Sequence, residues 1–116
     1  MGKSIEYKVQ EAETIYLTNR WKIERTMEEL SDEKRIFLRK VEQMSERIRA
    51  SARNNETVDM SRLTLVNRVL EQAQNEGQHV IKRGLYTLEE KLEENRAQFS
   101  QQLARYEEEQ KEWERS

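Results

Sequence analysis

The chain has 116 residues, of which 34% are apolar and 38% are charged, and its formal net charge is −2. This composition cannot fill the core of a thick globular domain, and it fits either long, thin helices or a disordered chain. The nearly balanced charge does not imply bulk attraction to nucleic acid or to an anionic membrane. The sequence has no proline that would break a helix and no cysteine that could form a disulfide.

The first half of the chain carries a heptad pattern of apolar residues. One series recurs every seven residues, at Val9, Tyr16, Ile23, Leu30, Phe37 and Met44. A second series contains Met27, Val41 and Ile48, with Arg20 and Lys34 at the same phase. Such a repeat is typical of the a and d positions of a coiled-coil seam, and it favours order over disorder. It predicts a helix from about residue 5 to 53, with Ser4 as its N-cap and Ser31 as an alternative start of a new helix.

The heptad pattern stops at the stretch ASARNNETVDMS, which begins at Ala50. Its two asparagines tolerate the left-handed conformation that ends helices, and Thr57 or Asp59 can cap the helix that follows. We therefore expect a turn at about residues 54–58. A short connection between two long helices makes them antiparallel neighbours.

The second half predicts a helix from about residue 60 to 114. Its apolar positions first alternate steps of three and four, at Leu63, Val66, Leu70, Ala73, Gly77, Val80 and Gly84. The phase then slips by one residue, and the pattern continues at Ile81, Leu85, Leu88, Leu92, Phe99, Tyr106 and Trp113. The slip is a drift of the seam around the helix, and it predicts that Trp113 is packed at the seam.

Gly77 and Gly84 lie where the phase slips. A glycine inside a helix costs about 1 kcal/mol relative to alanine, so the two positions need a reason. Antiparallel pairing about the predicted turn places Phe37 opposite Gly77 and Leu30 beside Gly84. We therefore interpret these four residues as a site of close helix packing. A hinge or kink at the glycines is the alternative.

These patterns predict an all-α fold, a long antiparallel two-helix hairpin of the coiled-coil type that forms one domain over residues 1–116. Several apolar side chains lie off the first seam, namely Ile15, Leu17, Trp21, Ile36 and Leu38. Two helices packed along one stripe leave such side chains exposed, and an isolated pair of this kind is rarely stable. We expect the hairpin to complete a four-helix bundle with itself or with a partner, and we expect Leu17, Trp21 and Leu38 to face that partner.

The sequence offers no catalytic, cofactor or metal site. His79 is the single histidine and there is no cysteine, so the three or four ligands of a metal site are missing. The acidic pairs, such as Glu89-Glu90, and the basic clusters KRIFLRK and RIRASAR fit solvated helix faces better than a metal or nucleic-acid site. No apolar run reaches the length of a membrane span and no signal peptide is visible, so we expect a cytoplasmic protein. Because no catalytic motif is present either, we expect that the protein is not an enzyme.

A helical hairpin of roughly this length without cysteine or proline resembles the WXG100-like proteins of type VII secretion systems. It is more similar to the small helical accessory proteins encoded beside LXG toxins in Gram-positive bacteria. The stretch from Tyr86 to Glu90 matches the family's Tyr-x-x-x-Asp/Glu export signal, whereas the predicted turn lacks the Trp-x-Gly motif. The resemblance implies a chaperone or targeting factor that binds the helical domain of a toxin, with Tyr86 as a contact and with possible export without a signal peptide.

Two other functions fit the same pattern. A self-associating structural coiled coil, such as a spacer or stalk, would form homodimers or homotetramers. A general secretion or holdase chaperone would bind several unfolded clients.

Overall fold

A computed structural model describes residues 4–54 and 59–115. Helix α1 spans Ile5–Asn54 and helix α2 spans Met60–Arg115, and these described ranges contain no strand. The expected all-α helical hairpin is confirmed. Helix α1 is continuous through Ser31, so no second helix starts there.

Both helices begin at the expected caps. The Ser4 hydroxyl accepts a hydrogen bond of 3.2 Å from the Tyr7 backbone amide, and the Asp59 carboxylate accepts one of 3.0 Å from the Ser61 amide. Each cap satisfies one of the amides that a helix N-terminus leaves without a partner. The other expected cap, Thr57, and residues 55–58 of the expected turn lie outside the described residues.

The helices pack in two compact units. Unit 1 comprises Met1–Met27 and Tyr86–Ser116, and unit 2 comprises Glu28–Leu85. Within each unit a segment of α1 packs antiparallel to a segment of α2. In unit 1 the Lys8 ammonium lies 3.3 Å from the Glu109 carboxylate, so the start of α1 lies beside the end of α2.

The seam of unit 1 is built on small, aromatic and amide side chains. Ala12 is buried, and the rings of Tyr16 and Phe99 stack at a tilt of 33° with their centroids 4.6 Å apart. Asn95 is also buried, and it occupies the seam beside Asn19. Antiparallel pairing about the predicted turn at residues 54–58 also places Tyr16 beside Phe99, and this contact is observed.

Arg20 has the phase of the second heptad series, but it does not pack at the seam, because it is exposed and pairs with Glu24 at 2.9 Å. Its neighbour Asn19 reaches the seam instead, because Asn19 follows Tyr16 by three residues. Trp113, expected at the packed seam, is 78% exposed. Trp113 lies in the last turn of α2, and the prediction that it packs at the seam is wrong.

The interior of the hairpin is thin. Among the described residues, Ala12 is the buried apolar residue and Asn95 the buried polar one, while the other seam residues are half-buried or exposed. Two helices in contact along one stripe can shield only the side chains between them. Large apolar side chains therefore remain on the outward faces of both units, and these faces are the candidates for function.

Candidate partner-binding surfaces

A stripe of aromatic and aliphatic side chains runs along α1 in unit 1. It consists of Tyr7, Thr14, Leu17 and Trp21, and we call it the Trp21 stripe. Tyr7, Thr14 and Trp21 each precede a seam residue by two positions, which places them about 200° around the helix from the seam. Trp21 is 58% exposed and Leu17 48% exposed. The stripe thus faces away from α2.

Neighbouring polar groups hold the stripe in place. The guanidinium carbon of Arg25 lies 5.2 Å from the centroid of the Trp21 ring, within the range of a cation–π interaction. The Thr14 hydroxyl donates a hydrogen bond of 2.9 Å to the Gln10 carbonyl, which leaves its methyl group as the apolar part. A tryptophan that is oriented on its own helix and still exposed has the character of an interface anchor.

The structure separates the four residues that the sequence assigns to partner binding. Leu17 and Trp21 share the Trp21 stripe on α1. Tyr86 also belongs to unit 1 but lies on α2, where it is exposed, as is Glu90 one turn later. Leu38 belongs to unit 2 and is half-buried next to the seam residue Phe37.

The four residues assigned to close packing meet in unit 2. A Cβ built on Gly77 would lie 2.5 Å from Phe37 Cε1 and 3.1 Å from Cε2, and it would overlap Cζ as well. A Cβ on Gly84 would lie 2.9 Å from the Leu30 Cδ2 atom. Carbon atoms in ordinary contact are about 3.5–4.0 Å apart, so the Phe37 ring occupies the space that a side chain at Gly77 would need. Both glycines have ordinary helical backbone, with no positive φ angle.

A polar layer in unit 1 was not anticipated from the sequence. The Asn95 amide donates a hydrogen bond of 3.0 Å to the Tyr16 carbonyl on the other helix, and the Asn19 amide donates one of 3.4 Å to the Asn95 side-chain oxygen. A groove of about 310 Å³ opens over this layer and is lined mostly by polar and charged side chains. The available signal was position alone, because Asn95 lies three residues after Leu92 and four before Phe99, at a seam phase.

Further exposed apolar side chains lie in unit 2. Met60, Leu65 and Val69 at the start of α2 and Met44 on α1 are all more than half exposed. The first turn of α2 contains no acidic residue. Unlike the Trp21 stripe, these positions carry methionine and branched aliphatic side chains.

The part of the chain that the structure describes holds no cluster of three or more histidine, cysteine, aspartate or glutamate side chains that could bind a metal ion. Within the same residues, neither helix has a stretch that is long and apolar enough to span a membrane. The sequence matches no protein-family model, and neither a curated protein nor a solved structure shows significant similarity to it.

Proposed function

We propose that this chain is a non-enzymatic helical adaptor whose Trp21 stripe packs against the helical domain of another protein. The observation that carries the proposal is the exposure of Trp21 and Leu17 on the face of α1 that points away from α2. About half of each side chain remains exposed in the hairpin, and folding of the single chain does not bury that part. Burial of a large apolar side chain contributes about 1.5–3 kcal/mol, so a helix packed along this stripe would gain substantially from covering it.

The more specific form of the proposal names the partner as the helical N-terminal domain of an LXG toxin. The chain would then act as a targeting factor or chaperone for a toxin that a type VII system exports. The support consists of the hairpin fold and the resemblance stated above, together with the exposed Tyr86 and Glu90. In this form the protein resides in the cytoplasm until its cargo is exported, with or without it.

Affinity capture of the tagged chain from its native host, followed by sizing of the complex, tests the proposal. Trp21→Ala should reduce recovery of the partner by about tenfold, since truncated aromatic anchors typically cost more than 1.4 kcal/mol of binding. Trp113→Ala is the matched control, because Trp113 is exposed but lies outside the stripe. Circular dichroism should show that both variants keep their helix content. Equal recovery with Trp21→Ala and the unaltered chain would reject the stripe as the binding surface.

Fluorescence quenching gives a second readout. In a Trp113→Phe background Trp21 is the remaining tryptophan, and acrylamide should quench it strongly in the free protein and weakly in the complex. If Trp21 is already shielded in a folded, monomeric protein, the proposal loses its basis.

Self-association is the alternative function. Tyr7, Thr14 and Trp21 recur every seven residues, which is the spacing of a seam that a second hairpin could fill. A structural coiled coil or four-helix bundle of this kind would have a melting temperature that rises with protein concentration. Trp21→Ala would then lower the oligomer mass in sedimentation without any foreign partner.

A further inference from the structure

In the two helix segments on either side of the connection, every charged side chain is basic. Residues 47–54 at the end of α1 and residues 60–70 at the start of α2 contain no acidic and no lysine side chain. Their charges are all arginines, and all are exposed, namely Arg47, Arg49, Arg53, Arg62 and Arg68. Arginine differs from lysine in that its planar guanidinium binds carboxylates through two parallel hydrogen bonds.

Two of these arginines share one face with exposed apolar side chains. Met44 and Val66 fall in the predicted seam series, but both are exposed in the structure, so that part of the seam prediction is wrong. Met44 follows the seam residue Val41 by three positions, and Val66 follows Leu63 by three. Both therefore lie about 60° from the seam in the same rotational sense. Arg47 likewise precedes Ile48 by one position, as Arg62 precedes Leu63 and Val69 precedes Leu70. Each of these three lies about 100° from the seam.

In an antiparallel pair the same sense of rotation turns both helices toward one side. Met44, Arg47, Arg62, Val66 and Val69 therefore lie on a common face of unit 2, which we call the arginine face. Its apolar members are exposed to different degrees, with Val66 at 39%, Met44 at 52% and Val69 at 58%. The face combines an aliphatic centre with a guanidinium on each helix.

The helix terminus adds to the positive potential. The N-terminus of a helix carries a partial positive charge, and acidic residues usually occupy the first turn. Here Asp59 caps the helix through its carboxylate, but the first turn proper contains Arg62 and no acidic residue. A carboxylate that approaches this end of α2 therefore meets both the arginine and the helix dipole.

We propose that the arginine face binds an acidic amphipathic helix of a partner protein. Leucine- or valine-like side chains of that helix would cover Met44, Val66 and Val69, and its flanking aspartates or glutamates would pair with Arg47 and Arg62. Because the face carries arginines, charge complementarity favours a partner with negative charge. The aliphatic side chains favour an amphipathic helix as the class of partner. Single-stranded nucleic acid stacks on aromatic side chains, and membrane-surface helices usually carry tryptophan or phenylalanine, but this face has neither.

Binding to defined probes tests the proposal. The first probe is a fluorescein-labelled 21-residue peptide, designed as a helix with leucine at the a and d positions and glutamate on the flanks. The second has lysine in place of every glutamate, and the third has the composition of the first in scrambled order. Fluorescence anisotropy should show saturable binding of the first peptide, and the other two should bind at least about tenfold more weakly. Methyl resonances of Met44, Val66 and Val69 should shift on titration, while those of Leu17 stay in place.

Charge-reversal variants locate the contact. Arg47→Glu with Arg62→Glu should weaken binding of the acidic peptide by at least about tenfold. Arg105→Glu with Lys111→Glu is the matched control, since it changes the net charge equally on exposed positions of unit 1 and should change affinity by less than about twofold. Both double variants alter exposed side chains, and circular dichroism should confirm that they remain helical.

Four results would overturn the proposal. The acidic and basic peptides could bind equally, or both double variants could weaken binding equally. Anionic phosphatidylserine vesicles or a labelled oligonucleotide could bind through Arg47 and Arg62 while the acidic peptide does not. Finally, Val69→Glu could convert an oligomer of this chain into a monomer without any peptide binding, which would assign the face to a second copy.

Discussion

Substitution of Gly77 by alanine should destabilise the hairpin, although alanine is the better helix former. A methyl group at this position would lie 2.5 Å from Phe37 Cε1, about 1 Å closer than carbon atoms in ordinary contact. The aromatic ring is rigid and presents its edge to the glycine through three atoms, so it can escape only by a shift of the whole side chain or of the helix. Overpacking of this kind typically costs about 1–3 kcal/mol.

The gain in helix propensity opposes this cost. Replacement of glycine by alanine in a helix interior contributes about 1 kcal/mol. The net loss for Gly77→Ala should therefore be about 1 kcal/mol, which corresponds to a fall in melting temperature of roughly 4 °C for a chain of this size. Urea denaturation followed by circular dichroism at fixed protein concentration measures the free energy of unfolding directly.

Gly84→Ala is the matched control for the same substitution one heptad later. Its methyl group would meet a single atom, Leu30 Cδ2 at 2.9 Å, which is the end of a flexible side chain. A rotation of Leu30 relieves the overlap, so most of the propensity gain should survive and the variant should be as stable as the unaltered protein or more so. Phe37→Leu should recover much of the stability lost in Gly77→Ala, with a coupling of about 1 kcal/mol. If Gly77→Ala stabilises the protein as much as Gly84→Ala, the packing of Phe37 on Gly77 is not tight.

Three further predictions concern the polar layer, the caps and the surface ion pairs. Asn95→Ala should lower the free energy of unfolding by about 1–2 kcal/mol, because the hydrogen bond to the Tyr16 carbonyl is lost. Asn95→Leu should raise the melting temperature and broaden the range of oligomers seen in sedimentation. A single, unchanged species with Asn95→Leu would argue against a role of Asn95 in fixing the register of the helices. Asp59→Ala should cost about 1 kcal/mol in urea denaturation, while Asp59→Asn retains the cap and serves as the control. Hydrogen bonds from Arg96 lower the pKa of the Glu93 carboxyl, so any stabilisation from this pair exists at neutral pH and disappears as the pH falls through that lowered pKa. Because the pair is exposed, the melting curves of Glu93→Gln and the unaltered protein should nearly coincide at pH 7 and should coincide at pH 2. A large difference at pH 7 would show that the pair is less solvated than its exposure indicates.

The fold follows from the sequence because its signal is repeated many times. Each heptad of the first half independently indicates the same helical face, and the absence of proline removes the common alternative. The pairing of Tyr16 with Phe99 follows in turn, since a short connection between two long helices leaves one antiparallel arrangement. The contact between Phe37 and Gly77 is predictable in the same way. A glycine inside one helix and a large side chain at the opposite position of the antiparallel helix together predict close packing.

The details of the seam were harder to predict, for a physical reason. A polar residue at a seam phase can turn outward to water or find a partner across the seam, and the sequence does not decide between these. Arg20 turns outward to Glu24, while Asn95 stays inside because the Tyr16 carbonyl and Asn19 satisfy its amide. Trp113 shows the opposite case, in which an apolar residue at the correct phase, in the last turn of α2, is largely exposed.

The residue types on the outward faces are informative about function, because the hairpin fold does not restrict which side chains stand there. A two-helix hairpin is stabilised along one seam, and any residue with adequate helix propensity can occupy the positions on its far side. Glutamate or lysine would serve the helix at position 21 better than tryptophan, and they would also keep the surface soluble. The cost of an exposed Trp21 is therefore not explained by the hairpin alone. The same reasoning applies to Val69, which is 58% exposed, since a β-branched residue is a weaker helix former than the arginine that precedes it. These costs support the two proposals of contacts beyond the single chain, and the different chemistry of the two surfaces, aromatic in one and aliphatic with arginine in the other, supports two different occupants.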